Sequence, residues 1–148
     1  MLKADLHIHT KYSMDCDMPL EKIINRCLET GINCITIADH GTIEGALEMQ
    51  RLAPFTIIIA EEVLTHHGEI MGMFLKEPIP SGQSVEETIS QIRAQGGLVC
   101  IPHAFDLFRP SINIRLVHPS YSLHLYNGCS ISLKITQGLS LFLTSATI

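Results

Sequence analysis

Tryptophan is absent from the sequence and aromatic residues make up only 5% of it, which leaves little material for the stacking platforms that hold unpaired bases. Clustered cysteine ligands are missing too. The five cysteines, Cys16, Cys27, Cys34, Cys100 and Cys129, form no CxxC pair, and their odd number leaves at least one thiol unpaired. Such usage fits a reducing compartment. The opening Met-Leu-Lys-Ala-Asp lacks the apolar stretch of a secretory signal, and the most apolar late run, Leu139 to Ile148, is too short to span a bilayer. A cytoplasmic location with no membrane partner is therefore expected. Positive charge is in deficit as well. Ten Lys and Arg against fifteen Asp and Glu give a net charge of −5, so no extended nucleic-acid surface is expected, since such surfaces bind by counterion release. One further absence is local: no Asp or Glu occurs after Asp106. A solvated surface normally carries charges of both signs. Residues 111–148 are accordingly expected to be an atypical tail, disordered or not native to the domain.

What is present points to one packed domain. At 148 residues with 46% hydrophobic and 17% charged residues, the chain can bury a real core, whereas two independent domains of half that length would each be marginal. Up to about residue 103, short β-branched runs alternate with amphipathic stretches, as in βα units around a parallel sheet. The first strand is expected over 2–8. A helix follows with Pro19 near its start, Leu20, Ile23, Ile24, Cys27 and Leu28 on one face, and Gly31 as its stop. Further strands are expected over 33–38 and 55–62, separated by a helix that Thr42 would cap and that ends near Leu52. Residues 68–75 form a fourth strand of open direction. Ser84-Val85-Glu86-Glu87 has the capping-box pattern of a helix that Gly96-Gly97 ends, and a fifth strand covers 98–102.

The polar residues of these strands carry the chemistry. Asp5, His7 and His9 alternate along the first strand, and a period of two places them on one face with Leu6 and Ile8 on the other. Two imidazoles can then converge on one cation, with Asp5 suited to orient a ring by accepting its other N–H. Taken alone, His-x-His is also compatible with chance histidines on a half-exposed strand. Coincidence decides against that. Ala38-Asp39-His40, Glu62 and Ile101-Pro102-His103 all fall where strands are expected to end, and carboxyl ends of parallel strands converge on one mouth in a barrel. Glu61 is the weaker alternative to Glu62, because neighbouring strand residues face opposite ways. His66, His67, His118 and His124 have no motif around them and are expected in loops or on the surface.

Asp5-Leu6-His7-Ile8-His9-Thr10, Ala38-Asp39-His40, Glu62-Val63 and Pro102-His103 follow in order and resemble the successive motifs of the PHP (polymerase and histidinol phosphatase) superfamily. The resemblance covers residues 1–110 and implies an α/β fold, an incomplete distorted (β/α)7 TIM-like barrel. It implies divalent metals (Zn, Mn or Fe, up to three in complete relatives) and hydrolysis of a phosphorylated small molecule or nucleotide. By resemblance, His7 and His9 bind a first metal, Glu62 bridges the first and second, His103 binds the second, and Asp15 and His40 bind a third. Asp17 is an alternative to Asp15. Glu62 and Arg109 would be the catalytic groups, the latter either touching phosphate or forming a surface ion pair with Asp106. Glu69 stands where many relatives carry Gly-His. Complete members add a later His and an Asp-x-His pair that this chain lacks, and five strands cannot close a seven-stranded barrel. The alternative reading is a catalytically incompetent, truncated fragment with partial metal binding.

Overall fold

A computed structural model describes residues 1–102 and the backbone of residues 124–125. His103, Arg109 and the rest of the expected tail lie outside the described residues. The fold is α/β. Its elements are β1 (Ala4–Ile8), α1 (Leu20–Thr30), β2 (Cys34–His40), α2 (Glu44–Leu52), β3 (Thr56–Thr65), β4 (Gly68–Met73), α3 (Val85–Ala94), β5 (Leu98–Ile101) and β6 (His124–Leu125). Local signals set the helix boundaries. α1 begins after Pro19 and stops at Gly31, whose φ of 71° is open to glycine, and α3 has both hydrogen bonds of the Ser84/Glu87 capping box. At α2 the hydroxyl of Thr42 accepts from the Glu44 amide, but the cap position itself is Ile43.

The strands lie in one sheet in their order along the chain. β1, β2 and β3 are parallel, β4 runs antiparallel to β3 and β5, and β6 is parallel to β5. The open direction of the fourth strand is thus resolved as a hairpin. β3 does not end at Glu62 as expected. It stops pairing with β2 at His40↔Glu62 and continues to Thr65 alongside β4. His124, expected in a loop or on the surface, pairs with Cys100.

Sequential strand order puts the helices that link the parallel strands β1, β2 and β3 on a single face of the sheet. The packing follows that rule. Leu20, Ile23 and Cys27 of α1 and Ala46 and Met49 of α2 pack on Ile35, Ile37 and Ile57, while Val85, Ile89 and Ile92 of α3 pack on Val63, Ile70, Val99 and Ile101. On the opposite face Cys34, Ala38, Ala60, Met71, Met73 and Cys100 form a second cluster of small or flexible side chains. Residues of this face share it with Glu62 and His40 by strand parity. One face is therefore covered by helices, and the other carries Glu62 and His40. Among the described residues no helix is long and apolar enough to cross a membrane.

Candidate metal centre

The geometry of β1 departs from a simple alternation. Asp5 pairs with Ile35 but Ile8 pairs with Ile37, so three steps along β1 match two along β2. One extra residue inverts the facing of everything after it. Leu6 lies with Ala4 in the cluster on the open face, whereas Ile8, which unbroken alternation would place beside them, packs against the helix-side cluster. Asp5 stays on the helix side, where its charge reaches the Cys27 thiol, and its carboxylate accepts from the His7 amide at 3.3 Å. The expectation that Asp5 shares a face with His7 and His9 and orients a ring is corrected on that ground.

Past this bulge, His7 and His9 turn to the open face and meet Glu62. His7 Nε2, His9 Nε2 and Glu62 Oε2 form a triangle with sides of 3.0, 3.0 and 3.2 Å. Glu62 Oε2 also lies 3.6 Å from His40 Nε2, which in turn is 3.5 Å from Asp15 Oδ2. Side-chain exposure grades outward from 1% at Glu62 and 6% at His7 to 19% at His40 and 52% at Asp15. The site is a well with a buried carboxylate at its floor. Two groupings can hold a cation among the described residues: His7, His9 and Glu62, and His9, Asp15 and His40.

The first grouping fits a metal ion by its edges. Ligands at right angles around an ion about 2.1 Å away stand about 3.0 Å apart, which is the spacing of the triangle. The donor set of two imidazoles and a carboxylate suits Zn, Mn or Fe. Electrostatics agree. Burial would raise the Glu62 pKa, but the imidazoles of His7 and His9 within hydrogen-bonding distance and the nearby His40 hold it well below the ordinary carboxylate range. Burial disfavours a charged imidazole at His9, yet the Glu62 carboxylate beside it raises its pKa above the usual histidine value. The same buried negative charge draws metal cations.

Adjacent Glu61 occupies the other side of the sheet. It is fully buried, accepts from the Ile79 amide at 2.7 Å, and burial pushes its pKa up to about 7. The two neighbouring carboxylates thus serve opposite faces. Asp17, the alternative to Asp15, is in neither grouping. Glu69 pairs with Leu64, placing it on the Glu62 face of the hairpin.

Three groups that the sequence reading left without a role hold the loop between β1 and α1. Asp39 is fully buried and accepts from the Thr10 amide at 2.6 Å and the Thr10 hydroxyl at 2.7 Å. Burial raises its pKa, opposed by these two bonds. Ser13 bonds Asp15, His40 and His9. A hydroxyl residue two positions before an acid, just after His-x-His, is the signal that could have marked it.

A family model for the PHP domain matches residues 5–73. An uncharacterised protein of Methanocaldococcus jannaschii is 41% identical over 117 residues, covering 70% of this chain and 68% of the relative. The chain belongs to the PHP domain family. A second uncharacterised protein of the same archaeon is 35% identical over 112 residues, covering 73% of this chain but only 42% of its own length. Two solved structures share the fold at 16% identity. One is a two-domain protein of Bacteroides vulgatus ATCC 8482 containing a predicted PHP-like metal-dependent phosphoesterase, with a TM-score of 0.59, covering 70% of this chain and 35% of that one. The other is a proposed metal-dependent phosphoesterase of Bifidobacterium adolescentis ATCC 15703, with a TM-score of 0.60, covering 78% of this chain and 71% of that one.

Proposed function

We propose that this PHP chain is a divalent-metal-dependent phosphoesterase domain acting on a phosphorylated small molecule or nucleotide, its sheet forming the first part of a distorted (β/α)7 barrel. The observation that carries the reading is the triangle of His7, His9 and Glu62 at the floor of a well on the open face. Zn, Mn or Fe bound there would supply Lewis acidity toward a phosphoryl oxygen and make water acidic enough to act near neutral pH. The chain's own groups prepare for it. Glu62 brings a buried negative charge that offsets the cation, and His7 and His9 aim lone pairs at the same point. Asp15 and His40 extend the donor set toward solvent, where a phosphate would enter. His103 as a further ligand and Arg109 as a phosphate contact complete the proposal.

The test is metal content after equilibration with Mn or Zn, measured beside hydrolysis of a generic aryl phosphate. His7→Ala and Glu62→Gln should each lose bound metal and turnover, and Glu61→Gln should keep its metal. If Glu61→Gln lost metal and Glu62→Gln did not, the site would be misassigned. Metal bound at full stoichiometry without hydrolysis would favour a metal-holding module with no enzymatic role.

A further inference from the structure

Ser13 sits at the junction of three proposed ligands. It is 4% exposed, and its hydroxyl oxygen lies 2.6 Å from Asp15 Oδ1, 3.1 Å from the His40 amide nitrogen and 3.2 Å from His9 Nδ1. A serine hydroxyl has one proton and two lone pairs, so three partners saturate it and their roles can be counted out. Asp15, whose carboxylate has no proton to give, takes the hydroxyl proton, and 2.6 Å is the short length of an O–H to carboxylate bond. The His40 N–H can only donate and occupies one lone pair. The remaining lone pair faces His9 Nδ1, which must then carry a proton.

A neutral imidazole protonated at Nδ1 keeps its lone pair at Nε2. That is the atom that stands 3.0 Å from His7 Nε2 and 3.2 Å from Glu62 Oε2. The opposite tautomer would place a proton where a cation has to sit. We propose that Ser13 is a positioning residue of the metal centre, fixing His9 as the Nδ1–H tautomer and so assigning its one lone pair to the ion held with His7 and Glu62. His9 falls in both candidate groupings, and a single lone pair can serve only one. The outer grouping then has Asp15 and His40 without His9, and a second ion there must draw on other ligands. The same hydroxyl ties the loop to the end of β2, so one side chain sets the positions of Asp15, His9 and His40 together.

This inference rests on the metal-centre reading, and the experiment separates the two. In metal-free protein labelled with ¹⁵N-histidine, at a pH where the imidazoles are neutral, long-range nitrogen–proton NMR should show His9 protonated at Nδ1. In Ser13→Ala the preference should be lost, and Mn or Zn affinity should fall by about tenfold to a hundredfold, the usual cost of removing an outer hydrogen-bond partner. Ser13→Thr keeps the hydroxyl and should retain the wild-type tautomer. A wild-type His9 protonated at Nε2 overturns the proposal even if Ser13→Ala fails to fold, and so does Ser13→Ala with unchanged tautomer and affinity. His7→Ala is the control on the underlying reading. If it leaves metal binding intact, the metal centre itself is wrong, whereas lost binding in His7→Ala beside unchanged Ser13→Ala removes only the role of Ser13.

Discussion

Glu61 and Glu62 are neighbours in the chain and opposites in chemistry. Glu62 is held ionised by the imidazoles around it, whereas Glu61 faces buried aliphatic side chains and the Ile79 amide, and burial lifts its pKa to about 7 from an ordinary 4.5. A carboxyl whose pKa is raised on folding contributes most below its unfolded value, and that contribution is lost as pH rises through the folded value. Wild-type stability should therefore decline between pH 4.5 and about 7 by up to about 3 kcal/mol from this group. Glu61→Gln keeps an oxygen for the Ile79 amide and cannot ionise. The difference between variant and wild type in urea unfolding should move in favour of the variant as pH is raised from 5 to 8. A difference that stays constant would show that Glu61 is not held neutral. The opposed facing of the two carboxylates was legible from the period of a strand. The role proposed for Ser13 was not, because one of its three partners, the His40 amide 27 positions away, reaches it only through the fold.

At the level of elements, the loop after β1 depends on a contact with α2. Gly45 is the second residue of α2, and a Cβ added there would stand 2.1 Å from Asp39 Oδ2 and 2.6 Å from Thr10 Oγ1. Both oxygens are fixed by the bonds that Asp39 makes to Thr10. Glycine to alanine inside a helix ordinarily stabilises by up to about 1 kcal/mol. Here the sign should reverse. Gly45→Ala should destabilise by about 1–3 kcal/mol, as overpacking does, and should weaken metal binding because the displaced loop carries Ser13 and Asp15. Unchanged or higher thermal stability would show that Asp39 is not a fixed clamp. The boundaries of α1 and α3 were readable because Pro19, Gly31 and the Ser84/Glu87 box are local signals. The bulge in β1 was not, since its cause is pairing with β2 and none of Asp5 to Ile8 is a glycine that would mark it. That single extra residue is why Asp5 lies on the helix side.

Across the whole molecule, the alternation of strand and helix was enough to indicate an α/β fold, whereas the order of the strands, and with it the face left open, came from the structure. The direction of β4 needed the structure, because it depends on β3 running on past Glu62 to leave only His66 and His67 as a turn. The site binds these elements to one another. His7 and His9 come from the end of β1 and the residue after it, Asp15 from the following loop, His40 from β2 and Glu62 from β3, so the proposed ligands span 56 residues of sequence. An unfolded chain cannot hold those groups together. A cation that binds the folded state alone must stabilise it by about 2.7 kcal/mol at a hundred times its dissociation constant. Thermal unfolding of metal-free protein should shift upward as Mn or Zn is added, with the shift growing logarithmically in metal concentration above saturation. Because Ser13→Ala is expected to bind about tenfold to a hundredfold more weakly, its curve should be displaced to higher concentration with the same slope. His7→Ala should show little rise at all. If all three proteins responded alike, the ion would be binding elsewhere, and the triangle at the floor of the well would be a hydrogen-bonded cluster rather than a metal centre.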